Sequence, residues 1–227
     1  MKIIPASDSS LLVVLGDAIA PEVQSAVLDL FQALQALGER RIRNLHLGYV
    51  SLLVDFDPLA MTHADAAELV QRSLDCGSHI VQTASRTLEI PVCYGGEFGP
   101  DLDDVARHAQ LSADEVVRLH AGASYEVCFL GFTAGFAYLG GLPEELATPR
   151  LATPRRAVAI GSVGIAGRQT GIYPAATPGG WRLIGRTPLT MFDPRNEPPT
   201  RLLPGDRVRF VAIERAEFDR HRQEVGR

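Results

Sequence analysis

The sequence predicts a two-domain α+β protein, and two observations carry that prediction. Strand-like and helix-like hydrophobic patterns alternate over the first 93 of the 227 residues. From Tyr94 onward the composition changes, since eleven of the 21 glycines lie between Gly131 and Gly185 among short β-prone runs. Short strands broken by glycine and proline turns are typical of a compact β-barrel or sandwich. We therefore place an α/β domain at 1–88 and a β-rich domain at 89–227.

The helices of the first domain are recognised by their ends. Residues 11–15 form the short apolar run of a buried strand, and Pro21 then suits a first helical position. Gly38 suits the end of that helix. Thr62 and Asp65 have the spacing of a capping box, which begins a second helix. Apolar residues of the first helix recur at the spacing of one helix face: Val23, Val27, Leu30, Phe31, Leu34 and Leu37.

Three further strands complete the predicted order of this domain. Residues 42–47 and 49–56 are strand-like, the second helix ends before Gly77, and residues 88–93 form another apolar run. The resulting order is strand, helix, strand, strand, helix, strand. This is the split βαβ arrangement that is typical of ferredoxin-like domains.

Two short helices are predicted at the start of the second domain. Asp101 precedes a helix over 102–109 and can cap it, while Ser112 and Glu115 form a capping box for the next helix. The mostly charged residues 214–227 are expected to form a frayed helix or to be disordered. The β-prone runs of this half lie at 127–130, 158–160 and 202–213.

Charge and hydropathy restrict the partners and the location. The formal net charge is −5, so the chain lacks the strongly basic character of nucleic-acid-binding domains. The apolar run before Gly16 is too short for a signal peptide or a membrane span. We therefore expect a cytoplasmic protein that binds neither nucleic acid nor membrane.

Lysine, cysteine and histidine usage restrict the chemistry. Lys2 is the only lysine, which argues against a P-loop, a Schiff-base lysine and a Ser-Lys amidase, because each needs a lysine at its site. Cys76, Cys93 and Cys128 are odd in number and lack CxxC spacing, so we expect reduced thiols. The histidines show neither HxH nor HExxH spacing, and we therefore predict no metal site.

Two residues could act in acid–base chemistry. Glu97 lies between glycines in a segment where a ligand could approach the backbone closely, although a plain turn before a helix is an alternative. His120 has an imidazole that titrates near neutral pH, although its place in the last turn of a helix is also explained by the helix dipole. Asp101 is the more structural acid, since its position before the helix already accounts for it.

The densest motif runs from 161 to 173. Its glycines do not make a dinucleotide-binding loop, because Ile172 and Tyr173 follow where that loop needs a helix. We interpret it as strands whose glycines let three polar residues, Arg168, Gln169 and Thr170, face a ligand or a partner. Three arginines, Arg168, Arg182 and Arg186, offer the paired donors that bind carboxylate or phosphate. No GxSxG motif is present, so a serine hydrolase has little support.

The aromatic run of the second domain has two interpretations. Four aromatic residues fall within ten positions: Phe129, Phe132, Phe136 and Tyr138. They form either an interface with another protein or part of the core.

Several segments together resemble a known family. They read CYGGEFGPDL at 93–102, FLGFTAGFAYLGGLPEEL at 129–146, GSVGIAGRQTGIYP at 161–174 and TPGGWRLIGRTP at 177–188, with Leu-His at 119–120. These motifs resemble the carboxyltransferase subdomain C and D family, to which the B subunit of bacterial 5-oxoprolinase, the kinase inhibitor KipI and a segment of urea amidolyase belong. An older label of the family is allophanate hydrolase subunit 1.

The resemblance implies a fold, a reaction and partners. It implies a ferredoxin-like domain followed by a cyclophilin-like β-barrel, a composite site formed with a C subunit, and an A subunit that completes the enzyme. That complex would use ATP to hydrolyse 5-oxo-L-proline to L-glutamate, with this chain inactive alone. Within the matching motifs, His120 and Glu97 become candidates for catalysis. The candidates for substrate binding are Tyr94, Arg168, Gln169, Thr170, Tyr173 and Arg182.

Two alternatives stay open under the same resemblance. One is a KipI-like inhibitor of a sensor histidine kinase, and the other is a component of a biotin-dependent urea carboxylase or allophanate hydrolase system. Ala134 and Ala159 stand where the family commonly has proline. Because proline fixes φ, these alanines are expected to loosen two loops, which weighs against the kinase-inhibitor role.

Overall fold

The computed structural model of the chain describes residues 1–75 and 86–225. The chain divides into two compact units, Met1–Ala84 and Ser85–Arg227. The predicted helix stop at Gly77 lies outside the described residues, as do Cys76 and His79. Among the described helices, none is long and apolar enough to cross a membrane.

In its described residues the first unit is a four-stranded antiparallel sheet with two helices. Its strands follow the order β1-β2-β4-β3. The elements are β1 (Lys2–Ser7), β2 (Ser10–Val14), α1 (Pro21–Leu37), β3 (Ile42–Leu47), β4 (Ser51–Phe56) and α2 (His63–Asp75). Apolar residues of β2 and β4 pack against α1 and α2 in one core, with Val13, Leu52 and Leu30 almost fully buried.

The structure corrects the predicted strand order of this unit. Lys2–Ser7 pairs with β2 and supplies the edge strand, whereas residues 88–93 lie within a barrel strand of the second unit. The edge strand was not predicted from the sequence, because most of its side chains are exposed and Pro5 interrupts it. The ferredoxin-like arrangement inferred from the predicted order is therefore not confirmed.

Both predicted ends of α1 and the predicted start of α2 are confirmed. Pro21 is the first residue of α1, and Gly38 ends it in a left-handed conformation with φ of 59°. The Thr62 amide and hydroxyl donate to the Asp65 carboxylate, and the Asp65 amide donates back to the Thr62 hydroxyl at 3.2 Å. This reciprocal pair satisfies backbone donors that a helix N-terminus leaves unbonded.

The second unit is a closed barrel, which confirms one of the two predicted β architectures. In the described residues seven strands close in the order β10-β7-β6-β13-β5-β12-β9. They are β5 (Thr87–Tyr94), β6 (Ser124–Leu130), β7 (Ala137–Gly140), β9 (Ser162–Ala166), β10 (Gln169–Ile172), β12 (Arg182–Arg186) and β13 (Arg207–Ala212). A separate two-stranded antiparallel sheet pairs β8 (Arg155–Val158) with β11 (Thr177–Gly179).

Three α-helices accompany the barrel in the part of this unit that the structure describes. They are α3 (Leu102–Ala109), α4 (Ala113–Gly122) and α5 (Arg215–Val225). The predicted capping box of Ser112 and Glu115 is present at the start of α4. The charged C-terminal segment is a helix that is fastened to the barrel unit by Phe218, which is buried against Phe98 at 4.4 Å between ring centroids.

Asp101 does not cap α3, contrary to the prediction. Its side chain makes no capping hydrogen bond. Instead, the buried carboxylate accepts a 2.7 Å bond from the backbone amide of Leu183 and another of 2.7 Å from Nη2 of Arg155. The residue therefore fastens the start of α3 to strand β12 and to β8.

We expect Asp101→Asn to lower the free energy of unfolding of the barrel by about 1–3 kcal/mol. An amide oxygen can still accept from Leu183, but the charge that pairs with Arg155 is lost. Urea titration followed by the fluorescence of Trp181, the only tryptophan, measures the change. An unchanged unfolding midpoint would show that the buried ion pair adds nothing.

Candidate functional site

Three of the predicted site residues form one hydrogen-bonded chain inside the barrel. The hydroxyl of Tyr94 lies 2.8 Å from Nδ1 of His120, and Nε2 of His120 lies 3.0 Å from the hydroxyl oxygen of Thr170. Thr170 donates its own proton to the carbonyl of Gly164 at 3.0 Å. Its oxygen therefore accepts from Nε2–H, and Nδ1 accepts from Tyr94.

Because these side chains are largely buried, their hydrogen-bonded network carries no charge. His120 has no exposed surface and stacks on Phe210 at 4.6 Å between ring centroids. Desolvation lowers the pKa of His120 to about 3 and raises the pKa of Tyr94 well above its usual value. An uncharged imidazole with both nitrogens bonded holds α4 against β5 and β10, and this arrangement favours a positioning role. Acid–base catalysis by His120 stays a prediction.

The other polar candidates lie nearer the surface and have partners of their own. Glu97 forms an ion pair with Arg215, Arg168 pairs with Glu144, and Arg182 donates to Asp104 at 3.0 Å. Gln169 is half-buried at the start of β10, where it pairs with Ala166. None of these contacts connects the four residues to the hydrogen-bonded side chains of Tyr94, His120 and Thr170. Their functional roles therefore stay predictions.

An aromatic cleft at the barrel contains the remaining predicted residue, Tyr173. The cleft has a volume of about 250 Å³, which is small beside the roughly 300–1,000 Å³ typical of drug-sized ligands. Its lining consists of Phe132, Phe136, Tyr138, Arg150, Pro154, Tyr173, Pro178, Gly179, Gly180 and Trp181. A small organic molecule is therefore the suitable occupant.

The floor of the aromatic cleft is a set of rings packed edge to face. The ring of Phe136 lies 5.2 Å from Tyr173 and 5.3 Å from Trp181, nearly perpendicular to both. All three residues are buried. Gly179 permits this packing, because a Cβ there would lie only 2.4 Å from the Tyr173 hydroxyl. The floor is consequently closely packed and aromatic, and it includes the Tyr173 phenol.

Phe132 and Arg150 form the rim of the aromatic cleft. Phe132 is 62% exposed and has a φ of 65°, a left-handed conformation that is uncommon for a bulky residue. Arg150 places its guanidinium carbon 5.9 Å from the Trp181 ring centroid. Within the described part of the chain Arg150 has no carboxylate partner, so this cation can pair with an anionic ligand.

Part of the aromatic cleft was predictable from the sequence. The aromatic run predicted either an interface or core packing, and the structure places Phe136 in the floor and Phe132 at the rim. Trp181 and Arg150 were missed, because they are distant in sequence and nothing in their local spacing joins them. The single tryptophan within a glycine-rich motif was the one available signal.

Metal chemistry finds no ready site among the described residues. In residues 1–75 and 86–225, no group of three or more His, Cys, Asp or Glu side chains is placed to hold a metal ion. Cys93 and Cys128 are half-buried, and burial raises the pKa of the Cys93 thiol, which weakens it as a nucleophile.

Named relatives resemble this chain along much of its length. A Bacillus subtilis protein that is named as the B subunit of 5-oxoprolinase is 53% identical over 139 residues, which are 61% of this chain and 58% of that protein. The match therefore spans little more than half of that relative. A Haemophilus influenzae protein of the same name is 43% identical over 93% of this chain and 97% of its own length.

A solved structure and a family model agree with these similarities. An uncharacterized conserved protein of Pyrococcus horikoshii is 46% identical, covers 96% of this chain and 100% of its own, and superimposes with a TM-score of 0.58. The family model for the carboxyltransferase domain, subdomain C and D, matches residues 1–202. The chain therefore belongs to the carboxyltransferase subdomain C and D family.

Proposed function

We propose that this chain is the B component of an ATP-dependent 5-oxoprolinase, which hydrolyses 5-oxo-L-proline to L-glutamate together with C and A components. The observation that carries the proposal is the similarity to the Haemophilus influenzae protein, which is named as a 5-oxoprolinase component and matches over nearly the whole of both chains. A protein named as one component of an enzyme implies partners, and the proposed partners are the C and A components.

The aromatic cleft suits the chemistry of this substrate. 5-Oxo-L-proline has a small flat lactam ring and one carboxylate. The ring can pack on the faces of Tyr173 and Trp181, while the carboxylate pairs with Arg150 at the rim. The Tyr173 hydroxyl can hydrogen bond to the lactam. Burial raises the pKa of Tyr173, so the phenol stays protonated and acts as a donor.

ATP is assigned to the assembled complex rather than to a nucleotide loop of this chain. A P-loop needs a lysine beside the β- and γ-phosphates, and the only lysine, Lys2, lies in β1 of the first unit. We propose that this chain binds 5-oxo-L-proline and that the partner chains complete the ATP-dependent ring opening.

The proposal is tested by reconstitution. ATP hydrolysis that depends on 5-oxo-L-proline is measured for this chain alone, with the C component, and with both C and A components. We expect activity only in the full mixture. No activity from a folded and associated full mixture would contradict the proposed function.

The aromatic cleft is tested in the same mixture with Arg150→Gln. We expect kcat/KM for 5-oxo-L-proline to fall about tenfold to a hundredfold, because one charge-assisted hydrogen bond contributes about 1.5–3 kcal/mol. Arg156→Gln is the matched control, since it removes the same charge from an exposed position of β8 without lining the cleft. Equal activity of the two variants would place the substrate elsewhere.

A further inference from the structure

A second cleft of the barrel unit is lined by two arginines and shares no lining residue with the aromatic cleft in the described part of the chain. It lies beside the end of β12, the loop 187–190 and α5, and its volume is about 200 Å³. We call it the arginine cleft, after Arg186 and Arg222. Its other walls are apolar or hydroxyl-bearing, including Leu189, Thr190 and Phe218.

Arg186 is held in place and, among the described residues, forms no ion pair. Its Nε donates to the carbonyl of Ile160 at 2.7 Å, so one edge of the guanidinium is fixed and the terminal nitrogens stay available. The residue is half-buried, and desolvation followed by the nearby charge of Arg222 lowers its pKa. Glu97 is the carboxylate that acts on it, but Glu97 already forms an ion pair with Arg215.

Helix α5 places the second cation, Arg222, at the cleft. Phe218 is 1% exposed and packs on Phe98, and the Arg215 guanidinium carbon lies 4.7 Å from the centroid of the same Phe98 ring. Arg222 follows Phe218 by four residues, so both project from one face of the helix into the cleft. Within the described part of the chain, Arg222 forms no ion pair.

The charge of the arginine cleft contrasts with that of the whole protein. The chain carries a net charge of −5, yet the described residues that line this cleft include two arginines and no carboxylate. Two like charges that face one cavity repel each other, and the half-burial of Arg186 adds a desolvation cost. A bound dianion would offset both costs.

We propose that the arginine cleft binds the phosphate group of a small organic phosphate. Two guanidinium groups match the double charge and the several acceptor oxygens of a phosphate monoester. The Thr190 side chain borders the same space, and the apolar surface of Leu189 and Phe218 receives the organic part of the ligand. The site does not depend on the proposed 5-oxoprolinase function, because it involves neither the aromatic cleft nor a partner chain.

The experiment is a calorimetric titration of the full chain with phenyl phosphate and with inorganic phosphate at fixed ionic strength. We expect phenyl phosphate to bind more tightly, since its ring can cover the apolar wall. Arg222→Gln should raise the Kd of phenyl phosphate about tenfold or more, which corresponds to losing one charge-assisted contact. The Arg222 side chain is exposed, so its replacement leaves the core intact, and Trp181 fluorescence verifies that the variant is folded.

Arg220→Gln is the matched control, because it removes the same charge from the same helix at an exposed position that does not line the cleft. Its Kd should equal that of the unmodified chain. If Arg220→Gln and Arg222→Gln raise the Kd of phenyl phosphate equally, the effect comes from the general charge of the protein and the proposal is overturned. Absence of binding by the unmodified chain would overturn it as well, whatever the outcome of the reconstitution.

Discussion

Replacing Gly99 by alanine should lower the free energy of unfolding of the barrel unit by at least about 3 kcal/mol. A Cβ at this position would lie 2.1 Å from the carbonyl oxygen and 2.3 Å from the carbonyl carbon of Ile184. These are backbone atoms of a barrel strand and cannot rotate away. The loop 95–101 lies against β12. The Gly95 amide donates to the Ile184 carbonyl at 3.0 Å, and the Asp101 amide donates to the Leu183 carbonyl at 2.9 Å.

Gly96→Ala is the control for this prediction. Gly96 has a φ of 52°, but no atom lies within 4 Å of the Cβ that alanine would add. Its replacement should cost only about 1–2 kcal/mol, the usual penalty of a left-handed conformation for a residue with a side chain. Urea unfolding followed by Trp181 fluorescence compares the two variants. Similar midpoints would mean that close contact with Ile184 is not what requires glycine at position 99.

The fold was predictable where local chemistry determines it. Pro21 and Gly38 mark the ends of α1, and the Ser112–Glu115 capping box begins α4, because each of these signals acts within a few residues. The glycine-rich half predicted short strands, and a barrel was one of its two interpretations. The edge strand Lys2–Ser7 escaped, since it buries too little apolar surface to show a pattern.

Strand pairing explains another error of the fold prediction. Residues 88–93 were correctly recognised as a strand, but they pair with β12 and β13 in the barrel rather than with the N-terminal sheet. A sequence pattern gives the hydrophobic period of a strand and not its neighbours. Partner choice between two sheets depends on contacts that are distant in sequence, so it had to come from the structure.

The candidate site was less predictable than the fold for the same reason. Polar residue types within the family motifs indicated Glu97, His120 and Arg168, and the structure places them in three different surroundings. The aromatic cleft forms only when the segments that carry Phe136, Arg150 and Trp181 fold together. Residues that converge from separate strands and loops leave no spacing signal in the chain.

Burial of His120 should make the barrel unit lose stability as the pH falls. The pKa of His120 is about 3 in the folded chain and 6.5 in the unfolded chain, where the imidazole is solvated. Above pH 6.5 both states are neutral and the stability is fully present. Below pH 6.5 the imidazole binds a proton in the unfolded chain but not in the folded chain. The free energy of unfolding therefore falls by about 1.4 kcal/mol per pH unit, until the pH approaches 3.

The test compares the unmodified chain with His120→Gln between about pH 7.5 and pH 5, a range in which most carboxylates stay ionised. We expect the unmodified chain to lose about 2 kcal/mol more than the variant over this range. His108→Gln changes an exposed residue of α3, and this variant should lose as much stability over the range as the unmodified chain. If His120→Gln does not fold, NMR of the unmodified chain decides, since its His120 ring protons should not titrate in this range. Titration of His120 near its ordinary pKa would mean that solvent reaches the imidazole, and it would support the predicted role of the residue in acid–base catalysis.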